Sequence, residues 1–145
     1  MRSVAVSHVG LRVRDLGCMQ RFYEVLGFTE VGRMTLPDQV TGALLGLASP
    51  IGFEAVYLDS DGFILQLITF AGHPAPEAAP HAILDAGLTH LSFAVADVSA
   101  TLAAVTAAGG AVIAAPEAGA ACLVRDPEGQ LLELFEARWR PAGER

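Results

Sequence analysis

Four side chains of types that bind metal ions in proteins occur in two pairs along this chain: His8 and Gln66 in the first half, His90 and Glu133 in the second. Two imidazoles, a carboxylate and an amide oxygen suit a divalent first-row metal ion, and the remaining positions would take two oxygens from water or substrate. A single strand histidine is more often a hydrogen-bonded structural residue, and a single strand glutamate more often lies at a solvated edge. The metal centre is therefore a hypothesis that depends on how the chain positions all four residues.

An internal duplication relates the four residues to one another. Residues 7–28 align without gaps to residues 89–110, and residues 57–70 align to residues 124–137. The first alignment matches the two histidines, and the second matches the glutamine with the glutamate. Recurrence at equivalent points of two structural repeats favours a shared metal site over four separate structural roles. The offset falls from 82 to 67 residues between the two alignments, which predicts a shorter connection in the second half.

A strand followed by a helix is predicted at the start of each repeat. Asp15 and Asp97 follow runs of alternating residues and can cap a helix, because a carboxylate accepts free backbone N–H groups. Apolar residues then recur at helical spacing. Gly27 and Gly109 stand where the two helices are expected to end.

A hairpin is predicted near the end of each repeat. The turn signals Asp61-Gly62 and Pro127-Glu128-Gly129 each separate two strand-like runs. Each repeat then has the element order βαβββ. We therefore expect an α+β fold in which two tandem βαβββ modules form a curved, cup-shaped mixed sheet with the helices on the outside.

Side-chain parity predicts where the four polar residues point, because successive side chains of a strand alternate between its two faces. His8 and His90 each lie opposite an apolar set in their own strand, and Gln66 and Glu133 each lie opposite a pair of leucines. If the more uniformly apolar set packs beneath each helix, all four polar residues face the concave side of the sheet.

The length and the 52% hydrophobic composition suit one globular domain. We predict a single domain over residues 1–145, with module one at about 1–70, a Pro- and Ala-rich linker at about 71–86, module two at about 87–138 and a tail at 139–145. Residues 32–52 contain Pro37, Gly42, Gly46 and Pro50, and we predict a loop with a short strand or turn there.

Charge and hydropathy exclude several kinds of partner. Sixteen acidic and nine basic residues leave a net charge of −7, which argues against nucleic acid and anionic membranes as partners. No apolar run approaches the roughly 20 residues that span a bilayer, and the N-terminal pattern is unlike a signal peptide. The isolated Cys18 and Cys122 fit a reducing compartment. We therefore expect a cytoplasmic protein.

With the segments HVGLRVRDL, RFYEVLGF, HLSFAVADV and RDPEGQLLELFE, the sequence resembles the vicinal oxygen chelate superfamily over nearly its whole length. That superfamily includes glyoxalase I, methylmalonyl-CoA epimerase, extradiol dioxygenases, fosfomycin-resistance enzymes and bleomycin-resistance proteins. The resemblance implies metal ligands on the first and last strands of each half, here His8, Gln66, His90 and Glu133. This set is similar to that of bacterial methylmalonyl-CoA epimerase, whereas many glyoxalases have Glu at the position of Gln66. It also implies a homodimer.

The activity implied by the resemblance is that of a metal-dependent lyase or isomerase that acts through a metal-bound enediolate on a small carbonyl or thioester substrate. Glu133 would be the general base, and the ion would be Zn, Ni, Co, Mn or Fe. Glu54 lies near the region of the epimerase's additional catalytic glutamate but off its usual spacing, and an ordinary strand residue is the more frequent alternative.

Two other functions remain open. The protein could sequester a hydrophobic or aromatic natural product in a cavity, although apolar side chains of this kind more often form core. Alternatively, His8, His90 and Glu133 could form the iron site of an extradiol dioxygenase. The cavity would be lined by Phe53, Tyr57, Ile64, Ile68 and Phe135.

Overall fold

The computed structural model describes residues 4–77, 82–115 and 121–137. The chain divides into two compact units, Met1–Ala78 and Ala79–Arg145, and each is described by itself. Each unit contains one βαβββ module, so the predicted α+β class and the two modules are confirmed. The joining of the two sheets into one cup, and the single domain, stay predictions. Among the described residues, no helix is both long and apolar enough to cross a membrane.

The first unit has a four-stranded mixed sheet in the order β1-β4-β3-β2. β1 pairs with β4 in parallel, and the other two pairings are antiparallel. Its elements are β1 (Val9–Arg12), α1 (Leu16–Val25), β2 (Thr29–Leu36), α2 (Asp38–Leu45), β3 (Phe53–Ser60) and β4 (Phe63–Phe70).

The second unit repeats this topology in the order β5-β8-β7-β6, again with the first and last strands parallel. It has no counterpart of α2 among its described residues, in agreement with the predicted shorter connection. Its elements are β5 (Leu91–Val95), α3 (Val98–Ala107), β6 (Ala111–Ala114), β7 (Ala121–Arg125) and β8 (Leu131–Glu136).

The predicted helix ends are confirmed in both units. The Asp15 carboxylate accepts a 2.8 Å hydrogen bond from the backbone N–H of Cys18, and Asp97 caps α3 through a 2.9 Å bond from the third residue after it. Both helices stop at glycines with positive φ, 89° at Gly27 and 92° at Gly109, a conformation that L side chains rarely adopt.

Each module has its own apolar core between its helix and one face of its sheet. In the first unit Phe22 and Tyr23 of α1 are at most 1% exposed. Each such buried side chain contributes about 1.5–3 kcal/mol to stability, and together they hold the helix against the sheet. The sheet face away from the helix is not used by this core. The remaining buried apolar residues of the first core include Met19, Val56, Leu58, Leu65 and Leu67, and those of the second include Val105, Val124, Leu132 and Leu134.

The prediction of a loop with a short strand or turn over residues 32–52 was wrong in one respect: β2 continues to Leu36 as a strand, but an eight-residue helix follows it in place of a loop. Pro37 immediately precedes that helix, where its missing N–H costs nothing. Gly42 is in the helix because a Cβ there would lie 2.9 Å from the Leu47 carbonyl oxygen. Gly46 ends the helix with φ of 69°. The glycine that looked like a helix breaker is thus required by close packing.

The gapless alignment of the two hairpins is one residue out of register in its first strand. It matches Tyr57 with Val124, but Tyr57 pairs with Gln66 across β3 and β4, whereas Leu123 pairs with Glu133 across β7 and β8. The cause is the second turn, which has one residue more than the two-residue turn of the first unit. Since neighbouring residues of a strand face opposite sides, the structural counterpart of Tyr57 is Leu123.

Candidate metal centre

In the first unit, His8 and Gln66 belong to one face of the sheet. Gly10 is in register with Gln66 on the parallel neighbour, and Tyr57 is in register with it on the antiparallel neighbour. His8 immediately precedes β1, and its ring contacts that of Tyr57, whose side chain lies on the Gln66 face. This face is opposite to the one that α1 covers, as expected within the first unit, whereas a concave side shared by all four residues stays a prediction.

The ring of His8 has contacts on two sides. The hydroxyl Oγ of Ser7 lies 3.0 Å from Nδ1, within hydrogen-bond distance, and the ring of Tyr57 stands edge-on at 5.7 Å between centroids. When Nδ1 carries the ring proton and donates it to the hydroxyl, Nε2 is the unprotonated nitrogen that can bind a metal. The surroundings of His8 therefore suit ligation through Nε2.

Gln66 is 7% exposed, and its amide is held by a tyrosine hydroxyl. Its Nε2 donates a 2.6 Å hydrogen bond to the Oη of Tyr57. Its Oε1 points to the other side, where a Cβ on Gly10 would come within 3.5 Å of it. The nitrogen of the amide is thus engaged by β3, and the oxygen lies over β1, the strand that His8 precedes.

In the second unit, His90 and Glu133 stand next to each other. His90 Nε2 lies 3.7 Å from Oε2 of Glu133, and each side chain is about one-third exposed, 32% and 31% respectively. This separation is longer than a hydrogen bond, and the two residues are close enough that both would hold the same metal ion. The hydroxyl of Thr89 lies 2.8 Å from Nδ1 of His90 and again leaves Nε2 for the ion.

Glu133 is also held from the strand beside it. Ser92 is in register with Glu133 across β5 and β8, and its hydroxyl donates a 2.5 Å hydrogen bond to Oε2. The oxygen near His90 is therefore the one that Ser92 restrains.

Sequence reasoning missed the hydroxyl groups that contact these side chains: Ser7, Thr89 and Ser92. A signal for the first two was present, because a hydroxyl residue directly precedes the histidine in both copies of the duplication. For Ser92 there was none, since its counterpart in the first repeat is Gly10.

The residues predicted to line a ligand cavity are placed as parity requires within their own units. Phe53, Tyr57, Ile64 and Ile68 share the face of Gln66 in the first sheet, and all four side chains are half-buried. Phe135 shares the face of Glu133 in the second sheet. The Gln66 face of the first sheet therefore combines an amide with aromatic and aliphatic side chains.

Glu54 is on the wrong face to act beside the predicted ligands. It alternates with Tyr57 and its neighbours on β3, and it pairs with Arg33 through a 2.8 Å ion pair on the side of α1. Glu30 also pairs with Arg33 at 3.1 Å. Hydrogen bonds to the two carboxylates raise the pKa of Arg33, and those from Arg33 and Gln20 lower the pKa of Glu30. Glu54 is thus a strand residue that forms an ion pair with Arg33, which agrees with the more frequent alternative, an ordinary strand residue.

Each unit supplies two of the four predicted ligands. In neither unit do three His, Cys, Asp or Glu side chains among the described residues group closely enough to hold a metal ion. His8 and Gln66 share one sheet face, and His90 and Glu133 lie side by side on another. Their use together by one ion stays a prediction.

Comparison with known proteins identifies a family whose sequence profile matches this chain. The sequence profile of the Glyoxalase/Bleomycin resistance protein/Dioxygenase superfamily matches residues 5–134. Comparison with curated proteins gives no significant match.

Three solved structures illustrate the similarity in fold. A glyoxalase family protein from Bacillus cereus has a TM-score of 0.78 at 22% identity, over 94% of this chain and 97% of that one. The trypanothione-dependent glyoxalase I of Leishmania major has a TM-score of 0.71 at 23% identity, over 94% and 88%. A variant of the fosfomycin resistance protein FosX from Listeria monocytogenes, complexed with Mn(II) and 1S,2S-dihydroxypropylphosphonic acid, has a TM-score of 0.60 at 17% identity, over 94% and 93%.

Proposed function

The chain belongs to the Glyoxalase/Bleomycin resistance protein/Dioxygenase superfamily, and from this premise we propose that it is a metal-dependent lyase or isomerase. Its substrate would be a small carbonyl compound or thioester that carries an acidic proton next to the carbonyl. The observation that supports this most directly is the pair formed by His90 and Glu133, whose Nε2 and Oε2 atoms are 3.7 Å apart.

We propose His8, Gln66, His90 and Glu133 as the ligands of one divalent ion. The chemistry of each pair fits the ion, because both imidazoles have a hydroxyl within hydrogen-bond distance of Nδ1, and a histidine that donates from Nδ1 can bind a metal through Nε2. The similar FosX variant was solved with Mn(II), which supports a divalent cofactor here. Zn, Ni, Co, Mn and Fe all suit this donor set.

When bound, the metal supplies positive charge that stabilises the negative charge on the substrate oxygens as the adjacent proton leaves. Glu133 would take that proton as the general base. Ser92 would hold one oxygen of Glu133 while the other turns toward the substrate. Gln66 is a neutral ligand, so the ion keeps more of its charge than it would beside a second carboxylate.

Phe53, Tyr57, Ile64 and Ile68 are proposed to bind the apolar part of the substrate, together with Phe135. In the first unit these side chains lie on the same sheet face as the Gln66 amide, and small-molecule pockets commonly combine apolar surface with a few polar groups. Homodimerisation and a cytoplasmic location remain predictions.

Proton exchange tests the proposed function directly. Purified protein is analysed for bound metal, and candidate 2-oxo acids and thioesters are incubated with it in D₂O while NMR follows loss of the proton next to the carbonyl. We expect exchange that chelation and His8→Ala abolish and that Glu133→Gln lowers by about 10²- to 10⁴-fold, the usual size of a general-base contribution.

Glu54→Gln is the matched control for Glu133→Gln, since Glu54 lies on the opposite face of the first sheet. It should leave exchange within about twofold of the unmodified protein. Exchange that survives metal removal would contradict the proposal. Oxygen uptake with catechols and ferrous iron would instead indicate an extradiol dioxygenase.

Sequestration of a hydrophobic or aromatic compound is the second candidate function. It is favoured by the four half-buried apolar side chains on the Gln66 face, Phe53, Tyr57, Ile64 and Ile68. A metal-free protein that binds an aromatic ligand without turnover, and whose affinity falls in Ile68→Ala but not in Glu133→Gln, would support sequestration over catalysis.

A further inference from the structure

The hydroxyl of Tyr57 is the hydrogen-bond partner of the Gln66 amide nitrogen. We infer that Tyr57 is a positioning residue that orients this amide so that its oxygen, and not its nitrogen, is presented to the metal ion. The inference rests on the proposed function, because it concerns the same ion. Tyr57 would have this role in addition to lining the proposed cavity.

Tyr57 contacts both predicted ligands of the first unit. Its Oη accepts the 2.6 Å bond from Gln66 Nε2, and its ring packs edge-on against His8 at 5.7 Å. Register on adjacent strands places it directly across from Gln66. One side chain therefore restrains the glutamine and one side of the histidine ring.

An amide ligand needs such a partner for a chemical reason. Its two ends differ, since the oxygen has lone pairs for a cation whereas the NH₂ group carries only donor hydrogens. A half-turn about the last side-chain bond would present the NH₂ group to the ion and abolish binding. In the structure the tyrosine oxygen accepts from the NH₂ group, which is the orientation that leaves Oε1 for the ion.

The second unit provides an internal comparison. Glu133 occupies the position equivalent to Gln66, and the residue across from it, equivalent to Tyr57, is Leu123. The two oxygens of a carboxylate are chemically alike, so a half-turn changes nothing. The amide of Gln66 thus has a tyrosine across from it, whereas the carboxylate of Glu133 has an apolar leucine.

The strand on the other side of Gln66 is compatible with this orientation. Gly10 is in register with Gln66 and has no side chain, and Gln66 Oε1 lies on that side. At the equivalent position of the second unit, Ser92 donates a hydrogen bond to the carboxylate. A glycine in place of that serine leaves the amide oxygen without a competing hydroxyl from β1.

Titration with Co²⁺ tests the inference without relying on activity. The unmodified protein, Tyr57→Phe, Gln66→Glu and the double variant are each titrated, with the affinity and the visible spectrum of bound Co²⁺ as readouts. We expect Tyr57→Phe to weaken Co²⁺ binding about 10- to 100-fold, the range typical of a lost ligand-orienting contact. In the Gln66→Glu background the same change should cost less than about threefold, because a half-turn of a carboxylate still presents an oxygen to the ion.

The two backgrounds separate positioning from general structural support. If Tyr57 merely packed against its neighbours, Tyr57→Phe would weaken Co²⁺ binding by the same factor in both backgrounds. Equal losses, or no loss in Tyr57→Phe, would overturn the role of Tyr57 while leaving the metal site in place. Thermal unfolding of the four metal-free proteins checks that each is folded.

Failure of the proposed function gives a different result. If the unmodified protein binds no Co²⁺, or if His8→Ala binds it equally well, the metal site itself is refuted and the role of Tyr57 with it. If the unmodified protein binds Co²⁺ and His8→Ala does not, the comparison of Tyr57→Phe in the two backgrounds decides the inference alone.

Discussion

The hydroxyl of Ser92 lies 2.5 Å from Oε2 of Glu133, the same carboxylate oxygen that stands 3.7 Å from His90 Nε2. The bond crosses from β5 to β8 between residues in register. A carboxylate that must bind a metal and accept a proton needs a restrained starting position. Ser92 can supply that restraint without adding charge.

Removal of the Ser92 hydroxyl is predicted to slow proton exchange. Ser92→Ala should lower the exchange rate about 10-fold, because Glu133 would lose its fixed orientation. Ser92→Thr keeps the hydroxyl and should recover most of the rate. NMR in D₂O measures all three proteins, and Ser99→Ala, an exposed serine on α3, is the control. A full rate in Ser92→Ala would show that the bond has no role in positioning Glu133.

The hydroxyl groups beside the two histidines are predicted to strengthen metal binding. Ser7→Ala and Thr89→Val should each weaken Co²⁺ binding about 10-fold, because each histidine would lose the hydroxyl that can accept a proton from Nδ1 and orient the ring for binding through Nε2. Competition with a chelator of known affinity gives the dissociation constants. Thr35→Val, an exposed threonine on β2, should leave them unchanged, and a comparable loss in that control would argue against a specific effect.

Asp38 is predicted to make the stability of the first unit depend on pH. Its carboxylate accepts bonds of 2.8 and 3.0 Å from the backbone N–H groups of Ile51 and Gly52. The bond from Gly52, followed by that from Ile51, holds the pKa of Asp38 below its usual value. A group whose pKa is lower in the folded state stabilises the protein above its unfolded pKa, and this contribution disappears as pH falls through the folded pKa.

Asp38→Asn should therefore be less stable than the unmodified protein near pH 7, with the difference shrinking below about pH 4. Urea unfolding of the metal-free proteins at a series of pH values measures this difference. Asp61→Asn, an exposed turn residue, is the control for loss of a carboxylate. A difference between the two proteins that stays constant down to pH 2 would contradict the expected linkage.

Gly42 is predicted to be intolerant of even one added carbon. Its new Cβ would stand 2.9 Å from the backbone oxygen of Leu47, an atom that cannot turn aside as a side chain can. Gly42→Ala should cost about 1–3 kcal/mol in the free energy of unfolding, measured by urea denaturation. Gly32→Ala has open space around its Cβ and should be close to neutral. Equal stability of the two variants would contradict the close packing of α2.

Local sequence pattern alone determines much of this protein's structure. The capping carboxylate of Asp15, the stop at Gly27 and their copies in the second repeat depend on neighbours within a few residues. The parity of His8 and Gln66 depends only on the alternation of a strand. Interactions of this kind join residues that are close in sequence, so they can be predicted from residue order. The two βαβββ modules were predicted in this way.

Tertiary contacts decided the rest, because they join residues that the sequence keeps apart. From the sequence, Gly42 indicated a loop. In the fold it lies in a helix, where a Cβ at this position would come too close to the Leu47 carbonyl oxygen. One additional residue in the second hairpin turn placed Leu123, and not Val124, opposite Glu133. The bond from Gln66 to Tyr57 required two strands to lie side by side in one particular register. Residue order specifies which face a strand side chain occupies, but only the folded sheet selects the residue that it meets there.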